Sequence, residues 1–366
     1  MRILKNYIVQ EWFSLFLLAL LIVSFVLVVG NIVKLVEMVV AKGVAPGDVF
    51  KLFLYLLPSL LVFSIPISML TATLLSVGRM AYDNEITAIR SSGISLYPLF
   101  FTLLLIGLLF SFICLYFNDT LIPESHYNTR KLLKDIGVKK PTTYLEEKTF
   151  IKAFKNHIIF IYKINEDKLE DVRIYQPQGD DKPTRTIVSE WGEFISIPDK
   201  GAIKLALKHG VADEPSFENP EVFYKVRFST YYLTLYLDQA VESGKGLDKK
   251  VSDMTINELR LEINKMKRMQ IDARPLLVGL YEKFSLSVSG LLFILIGVPL
   301  ALRVRRRERS LGFGISIIIC LAYYFLMALG EGLALRNKIT PFAGVWLANF
   351  ALLFIGIFLT IKILEE

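Results

Sequence analysis

The chain is 366 residues long, 53% hydrophobic, 12% aromatic and 21% charged, with a mean hydropathy of +0.48. Soluble domains carry about a quarter charged residues and fewer apolar ones, so this composition disfavours a purely soluble protein and excludes a disordered chain, a coiled coil and a disulfide scaffold. The net charge of +7 suits an anionic surface, and the apolar excess points to lipid rather than nucleic acid.

A helix needs about 20 mostly apolar residues to cross a bilayer. Six stretches free of Asp, Glu, Lys and Arg meet or approach this: Trp12 to Val33, Leu52 to Gly78, Ser91 to Asn118, Phe284 to Leu302, Ser310 to Gly330 and Ile339 to Ile361. The first is too long for the apolar region of a signal peptide and no small-residue cleavage site follows it, so it reads as a retained span. Lys34 and Lys42 stand at or just beyond its far end, with Glu37 between them. They read either as interfacial lysines that snorkel or as point-charge binders of phosphate. Pro58 and Pro66 in span two and Pro299 in span four are tolerated where neighbouring helices satisfy the freed carbonyls.

The connection between spans two and three, Gly78 to Ser95, is longer than antiparallel helices need. Its middle, about 80–92, reads as a short amphipathic helix with Tyr82, Ile86, Ile89 and Gly93 near one face and Asp83, Glu85 and Arg90 around it. Gly93 is a suitable C-terminal stop. Such a helix is either an interfacial anchor or a knob for a groove in a partner.

Between spans three and four the pattern changes. Runs at Phe150 to Lys163, Val172 to Tyr175, Thr186 to Ser189, Gly192 to Ile197, Ala202 to Lys208 and Val222 to Tyr236 read as strands, with turns at Gln176 to Asp180, Pro198 to Gly201 and Asp213 to Pro215. Strands at this spacing fit a sandwich, jelly roll or barrel. Phe223 to Phe228 alternates apolar and basic positions, as in a half-exposed strand or the rim of an apolar groove. Thr255 and Glu258 form a capping box at the start of a connector helix carrying Leu259, Ile263 and Met266. Glu282 and Lys283 read as an interfacial pair.

The positive-inside rule orients the spans. Arg2, Lys5, Arg79, Arg90 and Lys362, with the turn Arg303 to Arg309, lie on one side. Both termini are therefore expected in the cytoplasm and the β-rich insert outside. Cys114 and Cys320 lie inside apolar runs and read as buried free thiols. There is no nucleotide-binding motif, metal motif or nucleophile–base arrangement in the sequence, so no cofactor is expected and any work is expected to be powered by a separate subunit. The alternatives are a membrane scaffold that displays a β domain, and a membrane-embedded enzyme acting on lipids.

Three segments carry a resemblance. Asp83-Asn84-Glu85-Ile86-Thr87-Ala88-Ile89-Arg90-Ser91-Ser92-Gly93-Ile94-Ser95, Phe293 to Leu300 and Pro341 to Asn349, with the three-plus-three layout, are similar to the LptF/LptG family of lipopolysaccharide export permeases. The Asp83 to Ala88 wording leans to LptF. The resemblance implies a membrane α-helical fold of six helices with an inserted periplasmic all-β jellyroll. It implies residues 1–120 as helices one to three, 121–254 as the β domain and 255–366 as connector and helices four to six. It implies a non-catalytic inner-membrane subunit that pairs with a second permease, binds two LptB-like ATPase subunits and passes lipopolysaccharide to LptC-like and LptA-like bridge proteins. Spans one and five would line the cavity. Asp83, Asn84, Glu85, Ile86, Ile89 and Arg90 would form the coupling helix, with Glu85 matching the acid that engages the ATPase. Lys34, and more loosely Lys42, would bind lipopolysaccharide.

Overall fold

The computed structural model describes residues 2–40, 43–139, 148–154, 157–165, 168–177, 184–197, 202–215, 223–236, 249–303 and 309–365. Two compact units result: Met1–Ile32, Tyr55–His126 and Lys249–Glu366 make one, and Val33–Leu54 with Tyr127–Asp248 the other.

The first unit is helical. Its chain passes through α1 (Arg2–Val40), α2 (Pro46–Tyr82), α3 (Glu85–Ser91) and α4 (Tyr97–Tyr116), then a π-helical turn at Phe117–Leu121 that leads into α5 (Ile122–Lys139). It returns through α6 (Ile256–Arg268), α7 (Arg274–Arg303), α8 (Arg309–Leu335) and α9 (Pro341–Glu365). Among the described residues six helices are long and apolar enough to cross a membrane: α1, α2, the run of α4 into α5, α7, α8 and α9. At about 1.5 Å per residue the 39 residues of α1 extend about 58 Å, far beyond a hydrocarbon core of about 30 Å.

Helices α2 and α7 are the most enclosed, and most of α1, α4 and α8 faces outward. The core is built from Trp12, Met69, Leu70, Phe293 and Tyr323. Several polar groups inside it pair with one another, which offsets the cost of burying them where no water competes. Trp12 Nε1 donates to Thr73 Oγ1 at 2.9 Å, Thr71 Oγ1 to Ser316 Oγ at 3.0 Å and Tyr323 Oη to Asn349 Oδ1 at 3.0 Å. The Asn349 amide donates to Ser285 in turn. Helices α8 and α9 meet at Gly330 and Gly344, where no side chain separates the two backbones. Cys114 and Cys320 are buried free thiols, as expected.

The π-helical turn is held from both sides. Lys283 Nζ donates to the Asn118 carbonyl at 2.5 Å, and Asn118 Nδ2 donates to Ser287 Oγ at 3.1 Å. Asp119 Oδ1 accepts the backbone N–H of Ile256 at 2.6 Å, which caps α6. Lys283 is therefore a buried side chain and not half of an interfacial pair with Glu282, because its hydrogen-bond partner is a carbonyl freed by the π turn. The capping box forms as expected: Thr255 Oγ1 accepts from Glu258 N and Glu258 Oε2 accepts from Thr255 N. Leu259 and Ile263 then pack with Leu276 and Leu280 at the start of α7.

In the second unit, the end of α1, the start of α2 and α5 share a cluster of Leu35, Val44, Val49, Leu52 and Ile136. The chain thus stays helical to Lys139, past the boundary at 120/121, because Leu132, Leu133 and Ile136 give α5 an apolar stripe. The inserted sheet has six antiparallel strands in consecutive order: β1 (Phe150–Phe154), β2 (His157–Asn165), β3 (Lys168–Gln176), β4 (Arg185–Ile197), β5 (Ala202–Pro215) and β6 (Phe223–Tyr236). The two runs expected at Thr186 to Ser189 and Gly192 to Ile197 are one strand, because β4 pairs along its length with β5 and over Arg185 to Glu193 with β3. Likewise Asp213 to Pro215 continues β5, with Pro215 opposite Phe223 at the strand end.

The sheet supplies its own core. Ile159, Ile161, Leu169, Val172, Ile174, Ile187, Leu205, Leu207 and Leu235 are buried against one another. Flat neighbours lie about 4.8 Å apart, so β1 and β4 would stand roughly 14 Å apart, yet the rings of Phe154 and Phe194 are 6.3 Å apart. The sheet is curled. Asp171 in β3 and His209 in β5 both have positive φ, 49° and 52°. The flanking pairs set each of them opposite Glu190 of β4, so a crease runs across neighbouring strands. On β6 the alternation does not bury one face throughout: Tyr224 and Val226 stay exposed, and burial begins at Phe228.

Candidate functional site

Helix α2 ends at Tyr82, and the chain turns through Asp83 and Asn84. Asn84 has φ 59°, a left-handed conformation that asparagine tolerates better than most residues. Helix α3 follows and stops at Gly93, φ 75°, where Ile94 N bonds back to Ile89 O at 3.2 Å. Glycine fits because a Cβ would oppose this conformation. Of the expected helix at about 80–92, Met80 to Tyr82 are the last turn of α2 and α3 spans Glu85–Ser91.

Ile86 is buried in the bundle core with Val77, Met80 and Leu96, and Ile89 packs partly buried against it. These two side chains fasten α3 to the first unit. The opposite side is open: Asp83, Asn84, Thr87 and Arg90 are exposed. Beside α3, Leu4, Ile8, Ile89, Ile94 and Leu96 line a small apolar cleft with Lys5 at its edge.

Glu85 lies between the two faces. Its carboxylate accepts from Tyr7 Oη, 3.0 Å to one oxygen and 3.2 Å to the other. Arg79 Nη2 lies 3.7 Å from Glu85 Oε1. The same nitrogen donates to Tyr7 Oη at 2.6 Å and to Glu11 Oε2 at 2.5 Å, while Arg79 Nε pairs with Glu11 Oε1. A chain of polar contacts therefore runs from Glu11 through Arg79 and Tyr7 to Glu85. The Glu85 side chain is 31% exposed and that of Glu11 12%.

The lipid-facing candidates lie elsewhere. Lys34 is exposed on α1, one residue from buried Leu35. Glu11 and Lys34 bracket the uncharged run of α1, and the 23 intervening steps amount to about 35 Å, slightly more than a hydrocarbon core. Lys42 lies outside the described residues, as does most of the Arg303 to Arg309 turn. Among the described residues no group of three or more His, Cys, Asp or Glu is placed to hold a metal.

The structure thus brings Glu85 together with Ile86 and Ile89 on one anchored helix, and leaves Lys34 on its own surface. Sequence reasoning missed Tyr7 and Glu11. The available signal was Glu11 itself: an acid at the margin of an apolar span needs a cation, and Arg79 closes the adjacent span.

A family model described as "Lipopolysaccharide export system permease LptF/LptG" matches residues 6–362 of this chain. The chain is also similar to an uncharacterised protein of Rickettsia prowazekii (strain Madrid E), 25% identical over 185 residues that make up 50% of this chain and 51% of that protein. The match therefore spans about half of that relative's length.

Proposed function

Because the chain belongs to the LptF/LptG family of lipopolysaccharide export system permeases, we propose that it is the non-catalytic membrane subunit of an ATP-driven exporter and that α3 is its coupling element. It sits in the inner membrane with both termini cytoplasmic. It pairs with a second permease, and ATPase subunits dock beneath it. Closure of the ATPases pushes α3, the push travels into α2, and the cavity shared with the second permease contracts. Lipopolysaccharide leaves the membrane and enters the β domain, which hands it to LptC-like and LptA-like bridge proteins. Lys34, at the outer end of the uncharged run of α1, meets the lipid phosphates as a point charge.

The observation that carries this reading is the construction of α3. It is bolted to the bundle by Ile86 and Ile89, is covalently continuous with an enclosed helix, and presents a polar face with a partly exposed carboxylate at its first position. A helix held this way transmits a push rather than absorbing it. Glu85 offers an acceptor to a lysine or arginine of the ATPase.

Charge reversal by Glu85→Lys tests it. Setting two like charges against each other in a docked interface costs on the order of several kcal/mol. ATPase co-purification and lipopolysaccharide release are both expected to fall at least tenfold. Retention of both at the unmodified level removes the coupling role from α3.

A further inference from the structure

Two carboxylates compete for one guanidinium at the junction of α1, α2 and α3. Arg79 holds Glu11 by a charge-assisted hydrogen bond from Nη2 to Oε2, with Nε close beside Oε1 as an ion pair. Its only contact with Glu85 is one approach at 3.7 Å. Glu85 is instead fixed by the hydroxyl of Tyr7, which itself accepts from Arg79. One cation and two carboxylates leave the cluster one net negative charge. The more exposed of the two carboxylates is Glu85, so that charge lies at the surface. One hydroxyl hydrogen fills only part of the acceptor capacity of a carboxylate.

We propose that Glu11 is a positioning residue for coupling: by occupying Arg79 it keeps Glu85 oriented through Tyr7 but not neutralised, and so open to a cationic side chain of the partner. Glu11 acts without touching the partner. Remove its charge and the nearest carboxylate left for Arg79 is Glu85. Arg79 then moves onto Glu85, and the docking site loses its charge while every residue of α3 is unchanged. This inference rests on the reading that Glu85 docks to the ATPase.

The test measures affinity of the full-length chain, paired with its second permease in mild detergent, for the purified ATPase subunit. Glu11→Gln is expected to weaken binding roughly fivefold, in the range of a partly screened ion pair. Adding Arg79→Gln to that variant removes both members of the inner pair and restores the net charge, so affinity is expected to return to within about twofold of the unmodified chain. A merely structural role predicts the opposite, because the double variant has lost one more buried contact. Unchanged affinity in Glu11→Gln, or a double variant as weak as the single one, overturns the inference. Unchanged affinity in Glu85→Gln instead overturns the docking role of Glu85, which separates the two failures.

Discussion

Gly330 and Gly344 touch backbone to backbone. A Cβ on Gly330 would stand 2.0 Å from the Gly344 carbonyl oxygen, and one on Gly344 would stand 2.5 Å from the carbonyl of Gly330. Neither neighbour is a flexible side-chain end, so α8 and α9 must part for any side chain to enter. In a bilayer, helix association depends on such close packing because burial of apolar surface gives no driving force there. Gly330→Ala is expected to cost about 1–3 kcal/mol and to lower the thermal midpoint in detergent. Gly332→Ala, where an added Cβ meets nothing within 4 Å, is the matched control and should leave it unchanged.

The crease in the β sheet makes a second prediction. A non-glycine residue in the left-handed region carries a cost of about 1–2 kcal/mol. His209→Gly relieves that cost in the folded state and adds entropy to the unfolded one, so it should be close to neutral. His209→Val places a β-branched residue at the same φ and should destabilise the β domain by about 1–2 kcal/mol beyond the glycine variant. Denaturant titration followed by fluorescence of Trp191 in β4 reads the difference.

The start of α6 should be acid-sensitive. Burial raises the Glu258 carboxyl, but the hydrogen bond from Lys249, the backbone N–H of Thr255 and the Lys249 charge together outweigh it and hold the carboxyl below its usual range. The folded value lies below the unfolded one, so this stabilisation is complete above the unfolded carboxyl value of about 4.3. It is lost as pH falls through the folded value. Amide exchange in α6 should be flat between about pH 7 and 5 and rise below about pH 4, beyond its intrinsic pH trend. Glu258→Gln should abolish the pH dependence, and both side chains are exposed enough for salt to weaken it.

Much of the architecture was legible because membrane spans announce themselves by composition. Six uncharged runs became six helices long and apolar enough to span a bilayer, and Thr255 with Glu258 marked a helix start by local chemistry alone. The β4 strand was harder. Its two halves look like separate strands, and only pairing with β3 and β5 makes them one. At the candidate site, Ile86 and Ile89 were readable from helical spacing and Gly93 as a helix stop, whereas Tyr82, expected on the same face, is exposed at the end of α2. The partners of Glu85 were not, since Tyr7 lies 78 positions away and no periodicity links two residues on different helices. Lys283 failed for the same reason: its acceptor is 165 positions distant, and a lysine next to a glutamate looks like a surface pair until that acceptor is known.

The hydrogen bond between Asp119 and Ile256 has a consequence for how this chain can change. It joins the π-helical turn that precedes α5 to the first turn of α6, across 137 positions of sequence, so the two ends of the long connection from α4 to α6 are tied together. Loop closure entropy grows only slowly with length once the ends are held. A segment tethered in this way can gain strands, lose them or be traded for another cassette while the tie itself stays as it is.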